Sequence, residues 1–261
     1  MSSIASRPAP EPGSPSELGW KPFAIRFGLT ALALVIWFWT QSLIGSRGGM
    51  NVVIHDLIHQ LTAPLNNYLQ FHPSSANALL IVSSAMIDLF GVLLLARWLL
   101  GASLRPFLAL VILLGLRQIM QALVALPAPM GSIWHYPGFP SLLVTYGVSN
   151  DYFFSGHTAI AVLGAKELAG FGRRWLTAIA VVVVLFEIAA VLVLRAHYTM
   201  DVFTGAVTAL YVSSVADWLL LALGRSRIRT HLSPYLTFGS SRRATLANAK
   251  SRFPFKGNLV L

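Results

Sequence analysis

Apolar and polar positions fall into long blocks along this chain rather than alternating. Six apolar runs stand out, Phe23–Ile44, Ala76–Leu100, Leu104–Leu126, Phe153–Ala169, Trp175–Leu194 and Val202–Leu223. Roughly 20 apolar residues in a helix cross about 30 Å of hydrocarbon, so the pattern predicts an all-α integral membrane protein with six spans. The fourth run is the shortest, and Lys166 and Glu167 shorten it further. The domain boundaries read as a tail over 1–21, a six-helix membrane domain over 22–223 and a basic tail over 224–261. Between the spans lie two long loops on one side. In the first, Gly45–Ser75, the apolar residues of NVVIHDLIHQLTAPLNNYLQFH recur at helical spacing and predict a helix lying along the membrane surface. The second, Pro127–Tyr152, carries four prolines before its last residues and predicts irregular chain. No internal repeat is evident.

Composition sharpens this picture. The 261 residues are 56% hydrophobic and 11% charged, against about 25% charged in soluble domains. There is no cysteine, which excludes disulfides, thiolate metal sites and a cysteine nucleophile. The first twenty residues are rich in Pro and Ser and lack an apolar centre, so they read as a disordered cytoplasmic tail rather than a signal peptide. The net charge of +10 is unevenly spread. With both termini inside, sixteen of the nineteen basic residues fall on the inner side, leaving Arg47, Arg117 and Arg195 in the outer half. This positive-inside bias orients the chain. It also assigns the basic tail to anionic lipid headgroups rather than to nucleic acid.

Ionisable groups at membrane spans are costly and mark function by default. His157, in DYFFSGHTAIAV, opens the fourth run. His197 and Asp201, in RAHYTMD, open the sixth on the same side. If the last helix begins by Ala196, His197 and Asp201 share a face one turn apart. The carboxylate could then take one imidazole proton and leave the other nitrogen as base or nucleophile. Ser155 fits as an N-cap whose helix end offers N–H groups and a positive dipole to an anion. Such a set suits displacement at phosphorus without metal or other cofactor. An interfacial histidine is by itself usually a solvated neighbour of headgroups. The argument rests on the two histidines and Asp201 falling together.

FFSGHT and HYTMDV, about forty residues apart, with RQIMQALVALPAP upstream, resemble the sphingomyelin synthase branch of the type 2 phosphatidic acid phosphatase superfamily. The nearest pattern is that of the plant phosphatidylcholine:diacylglycerol cholinephosphotransferases, over roughly Arg117 to Trp218. The resemblance implies a six-helix membrane fold and a two-step, metal-independent transfer of a phospho-headgroup from a phospholipid to a lipid alcohol, diacylglycerol or ceramide. It implies His197 as nucleophile, Asp201 as its orienting partner and His157 as the proton donor and acceptor. The charge bias puts these residues on the extracytoplasmic face, of a bacterial inner membrane or an ER- or Golgi-type membrane. Two superfamily features are missing: a Lys six residues ahead of an Arg-Pro pair, and an Arg six residues before the histidine, where Val191 stands. Fewer phosphate-gripping cations suit a diester. Arg195 and Arg117 are the remaining candidates for the phosphate, with Arg195 nearer to His197 in sequence, although snorkelling explains Arg195 equally well.

Further candidates are weaker. Tyr198 adjoins His197 and is counted with the substrate-binding set. Glu187 could line a headgroup pocket, and Gln118 and Gln121 could share the cavity of Arg117. Trp134, Tyr136 and Tyr152 could cage a quaternary ammonium or merely anchor in the headgroup layer. Asp88 could pair within its span, and Asp217 could pair with Arg225. His55 and His59 could be half of a zinc site, but an interfacial helix accounts for their spacing better. Two other functions compete with transfer, a lipid phosphate phosphatase and a non-enzymatic transporter or lipid-binding scaffold.

Overall fold

The computed structural model describes residues 20–45, 54–101, 103–146 and 152–225. The readings for the two tails fall almost wholly outside the described residues. Among the described residues the regular elements are eight α-helices: α1 (Trp20–Gly45), α2 (Leu57–Leu61), α3 (Ala63–Phe71), α4 (Pro73–Leu99), α5 (Arg105–Leu123), α6 (Gly156–Ala169), α7 (Arg174–Val193) and α8 (Thr199–Arg225). Five of them, α1, α4, α5, α7 and α8, are long and apolar enough to cross a membrane. The chain is a multi-pass integral membrane protein.

The fourth apolar run departs from expectation. It becomes α6, with only 14 residues, about 21 Å at 1.5 Å per residue and short of the hydrocarbon thickness. Its apolar character comes from burial by protein on all sides. The buried residues run from His157 to Glu167 and include Ala159, Ala161 and Gly164. The small side chains let neighbours close in. A Cβ at Gly164 would lie 2.6 Å from the Phe90 ring of α4, and one at Gly205 of α8 would lie 2.6 Å from the Ser155 carbonyl oxygen. α6 is thus the hub of the bundle, packed by α4, α5, α7 and α8.

The first long loop, where described, forms α2 and α3. Leu57, Leu61, Leu65, Tyr68 and Phe71 are exposed together with Gln60, Asn67 and Gln70, while His59, Asn66 and Leu69 are buried. Exposed large apolar side chains interleaved with polar ones suit the membrane interface.

The two ends of α6 meet different chemistry. At its C-terminal end Glu167, buried, pairs with Arg97 (3.2 Å) at the end of α4 and with Arg105 at the start of α5. Arg105 also donates to Asp217 and Ser213 of α8. Asp217 therefore pairs with Arg105; the Arg225 side chain lies outside the described residues. Nearby, Arg26 of α1 donates to the carbonyls of Trp98 (3.1 Å) and Gly101 (2.7 Å) and lies over the Trp98 ring. The N-terminal end of α6 holds the histidines.

Candidate active site

The SGHT turn is built as its sequence indicates. Ser155 has extended backbone angles and its Oγ accepts from Thr158 N–H at 3.3 Å, an N-cap that satisfies one orphan donor of the helix end. The Ser155 N–H donates to the Asp201 carbonyl at 3.1 Å, so the two sequence motifs touch directly. Gly205 permits that approach, because a side chain there would strike Ser155. His157, the second residue of α6, is buried with its ring edge-on to Trp134 at 5.1 Å. Its Nε2 is buried with no hydrogen-bond partner among the described residues.

The HYTMD segment differs from expectation. α7 ends in a Schellman motif: Ala196 N–H donates to Val191 O (2.9 Å) and Arg195 N–H to Leu192 O (3.2 Å). The left-handed position that glycine usually fills is taken by Arg195, at φ 52°. This turn delays α8 until Thr199, so His197 lies ahead of the helix and not one turn below Asp201. Its Nδ1 is 2.8 Å from the Tyr152 carbonyl and 3.9 Å from Asp201 Oδ2. A carbonyl can only accept, so Nδ1 carries the proton and Nε2 keeps a lone pair. The expected His197–Asp201 hydrogen bond is replaced by one to Tyr152. Asp201 Oδ2 instead accepts from Tyr198 N–H at 2.9 Å, an acid in the first turn closing back on the residue ahead of its helix. Asp201 Oδ1 is buried and has no hydrogen-bond partner among the described residues. Burial, then the nearby Arg117 charge and His157, lower the His197 pKa from 6.5 to about 3. The imidazole is therefore neutral at physiological pH.

His157 and His197 line one cavity together with Arg117, Gly156, Trp134 and Tyr152. Arg117 of α5 donates from Nε to the Phe154 carbonyl at 3.2 Å. A Cβ at Gly156 would sit 3.0 Å from that Nε, so a glycine at the start of α6 leaves space for the guanidinium across the helix end.

Several predicted site residues lie elsewhere. Arg195 does not line the cavity. Its guanidinium donates to Met130 O (2.5 Å) and His59 O (3.3 Å), which holds the strained turn to the two long loops. Tyr198 packs on the His59 ring at 5.6 Å. Glu187 is fully buried between helices and accepts from Ser83 at 2.7 Å. Gln118 donates to Gln41 of α1 at 2.7 Å. Trp134 and Tyr152 line the cavity, whereas Tyr136 is exposed and packs on Tyr146. Asp88 accepts from Ser141 Oγ and from the N–H groups of Leu142 and Leu143 at 2.8 to 2.9 Å, so it ties a loop rather than pairing within the spans. His59 Nε2 is engaged by the His197 carbonyl at 3.0 Å while His55 is exposed, and no group of metal-binding side chains occurs among the described residues.

Asp56 carries a role the sequence did not suggest. Its Oδ1 accepts from the N–H groups of Ile58 (2.9 Å) and His59 (3.3 Å), capping α2. Oδ2 accepts from Thr199 N–H at 2.6 Å, and Oδ1 from Thr199 Oγ1 at 2.8 Å. One carboxylate thus caps two helices and clasps the turn that carries His197. An Asp ahead of a helical run was legible as a cap; the second helix, 143 positions away, was not.

A neutral imidazole with a fixed tautomer, a second histidine and an arginine thus share one cavity at a helix N-terminus within a multi-pass helical membrane protein. Residues 55–218, more than half the chain, match the AtPDCT1/2 family. The chain belongs to this family, the phosphatidylcholine:diacylglycerol cholinephosphotransferase-like proteins, and membership implies transfer of phosphocholine from phosphatidylcholine to diacylglycerol. No curated protein matches the chain. Family membership decides for transfer over the phosphatase and scaffold readings.

Proposed function

We propose that this transfer runs through His197 in two steps. Nε2 of His197 attacks the phosphorus of phosphatidylcholine, and the P–O bond to diacylglycerol breaks. His157, protonated for this step, gives its proton to the leaving oxygen. The phosphohistidine is then attacked by the hydroxyl of an incoming diacylglycerol, whose proton returns to His157. The tautomer set by the Tyr152 carbonyl supports this reading most directly, because it leaves the lone pair on the nitrogen that is not engaged by the backbone. The Tyr152 carbonyl and Asp201, 3.9 Å from Nδ1, stabilise the positive charge that the ring gains. Arg117 and the α6 N-terminus hold the anionic oxygens. Trp134 and Tyr152 face the choline.

The topology belongs to the same proposal. α6 runs from the α7–α8 turn to the α4–α5 junction, joining opposite ends of the bundle, and serves as a sixth, protein-enclosed crossing. Both termini then share a side. The basic residues gather at the Glu167 end, which places the histidines on the extracytoplasmic face. The tail over 224–261 then acts as a cytoplasmic anchor for anionic headgroups.

The test is reconstitution in liposomes with choline-labelled phosphatidylcholine and fluorescent diacylglycerol in EDTA. Fluorescent phosphatidylcholine should form with wild type and not with His197→Ala, and label from phosphocholine should stay on wild-type protein when acceptor is withheld. Transfer that persists in His197→Ala would overturn the mechanism.

A further inference from the structure

Two stretches of the second long loop form one wall of the catalytic cavity: Trp134 from the first, and Leu143, Val144 and Thr145 from the second. The wall is held from outside the cavity. Ser84, Asp88 and Gly91 of α4 follow one another at spacings of four and three, so they share a face. Ser84 Oγ and the Tyr146 hydroxyl are hydrogen-bonded. Asp88 accepts from Ser141 Oγ and from the N–H groups of Leu142 and Leu143. At Gly91 the Leu143 side chain fills the place that a Cβ would take. These three posts dock residues 141–146 on α4. Trp134 is locked to the docked segment in turn. Its Nε1 donates to the Thr145 carbonyl at 3.1 Å, and its ring lies 5.1 Å from the Tyr146 ring. The residue before it, Ile133, donates its N–H to the Leu194 carbonyl at 2.8 Å, at the end of α7.

This side of the cavity offers a cation little to bond. Among the described residues no acidic side chain lines the cavity. The loop carbonyls are turned to protein donors: Thr145 O to Trp134, Tyr152 O to His197 and Phe154 O to Arg117. A primary ammonium has three N–H donors. On entering it would give up its bonds to water without finding acceptors, which is costly. A quaternary ammonium has no N–H to satisfy, and aromatic faces attract it.

We propose that the Trp134–Thr145 wall selects a quaternary over a primary ammonium headgroup, and that Tyr146, bonded to Ser84, is the positioning residue that holds Trp134 in it. Tyr146 is not among the residues that line the cavity, so it acts through Trp134. The bond between Trp134 and Thr145 does two things at once. It fixes the indole, and it turns a carbonyl that would serve a primary ammonium toward the protein.

The inference rests on the transferase reading, and its test separates the two. Liposomes hold fluorescent diacylglycerol with either phosphatidylcholine or phosphatidylethanolamine as donor, and the readout is the ratio of the two kcat/KM values. A ratio is unaffected by partial loss of folded protein, which lowers both rates alike. Wild type should favour phosphatidylcholine about tenfold or more, because unpaired polar groups discriminate strongly. Trp134→Leu removes the indole and releases the Thr145 carbonyl, so the ratio should fall about fivefold or more, while Trp134→Phe should keep most of it. Tyr146→Phe keeps the ring but loses the bond to Ser84. It and Ser84→Ala should each lower the ratio about twofold, and the double variant should lower it no further. Equal use of both donors by wild type, or a parallel fall with both donors in Trp134→Leu, overturns the inference. An unchanged ratio in Tyr146→Phe overturns the role of Tyr146. Asp151, which lies outside the described residues, is the acid next to Tyr152 in sequence. Asp151→Asn should leave the ratio unchanged, and a ratio abolished there would assign selection to a carboxylate instead. Transfer of neither headgroup by wild type would defeat the transferase reading itself.

Discussion

Glu167 and His157 stand ten residues apart on one buried helix, yet their surroundings are opposites. At the Glu167 end, carboxylates and guanidiniums find one another: Glu167 meets Arg97 and Arg105, and Arg105 meets Asp217. Both ends keep buried polar atoms without hydrogen-bond partners among the described residues, Arg26 Nε and Trp98 Nε1 near Glu167 and His157 Nε2 and Asp201 Oδ1 at the other end, but only the His157 end has no carboxylate–guanidinium pair. Burying a polar atom without a partner costs about 1–3 kcal/mol, and native structures retain few such atoms. The paired end has the arrangement of a structural clamp. The other end places His157 on a cavity with Nε2 unengaged, where a ligand can supply a partner.

The sharpest test of the contrast exchanges damage between the ends. His197→Ala should lower transfer at least a thousandfold, as loss of a nucleophile does, while thermal unfolding in detergent shifts little. Glu167→Gln should do the reverse. It leaves Arg105 and Arg97 without their buried anion, which costs on the order of 3 kcal/mol, and the protein that remains folded should keep near-normal kcat. Equal loss of activity from both variants would erase the distinction.

The two outer-half arginines give a second comparison. Arg117→Gln should reduce transfer about a hundredfold or more, the usual scale for losing one stabiliser of transition-state charge. It should also move the acid limb of kcat upward in pH, because the Arg117 charge is one of the causes that hold the His197 pKa down; burial, the larger cause, remains. Arg195→Gly should leave kcat within a few-fold. It gives up the bonds to Met130 and His59 but relieves a left-handed backbone that costs a non-glycine residue on the order of 1 kcal/mol. Loss of kcat in Arg195→Gly comparable to that in Arg117→Gln would return Arg195 to the phosphate site.

Sequence reading put Arg195 slightly ahead of Arg117, whereas Arg117 is the arginine that lines the cavity. Arg195 is two residues from His197, and nearness along the chain stood in for nearness in space. The Schellman turn between them points the guanidinium away, and nothing in a non-glycine residue announces a left-handed turn. The other site elements were local and therefore legible. The Ser155 cap was one such element, specified within four residues. The hydrogen bond to His197 was not, because the acceptor is a backbone carbonyl 45 positions away that any residue could supply. Of the six apolar runs, five became helices long and apolar enough to span, and the fourth became a shorter one, because a helix enclosed by protein is as apolar as one enclosed by lipid. Its small residues, Ala159, Ala161 and Gly164, were the sign of helix-to-helix contact.

The smallest effect is expected at Asp56, and it tests whether the loop cap serves the site or only the fold. In Asp56→Asn one oxygen becomes an NH₂ group. Either the α2 cap or the α8 cap must then present a donor to a donor, at a cost of about 1–2 kcal/mol. Burial works to raise the Asp56 pKa, but the hydrogen bonds from Thr199 and the contacts with His59 outweigh it, and the net pKa lies below the usual 3.8. A carboxylate with a depressed folded pKa contributes stability that is fully present above its unfolded pKa and lost as pH falls through the folded one. The gap in melting temperature between wild type and Asp56→Asn should therefore be constant above about pH 5 and close as pH drops below 3.8. If the cap also positions His197 through the turn at Thr199, the variant should lower kcat several-fold with the KM for phosphatidylcholine unchanged, and Asp56→Glu should recover part of it. A stability gap with normal kcat would confine Asp56 to the fold. A kcat loss that persists when both proteins are assayed well below their melting temperatures places it in the support of the nucleophile.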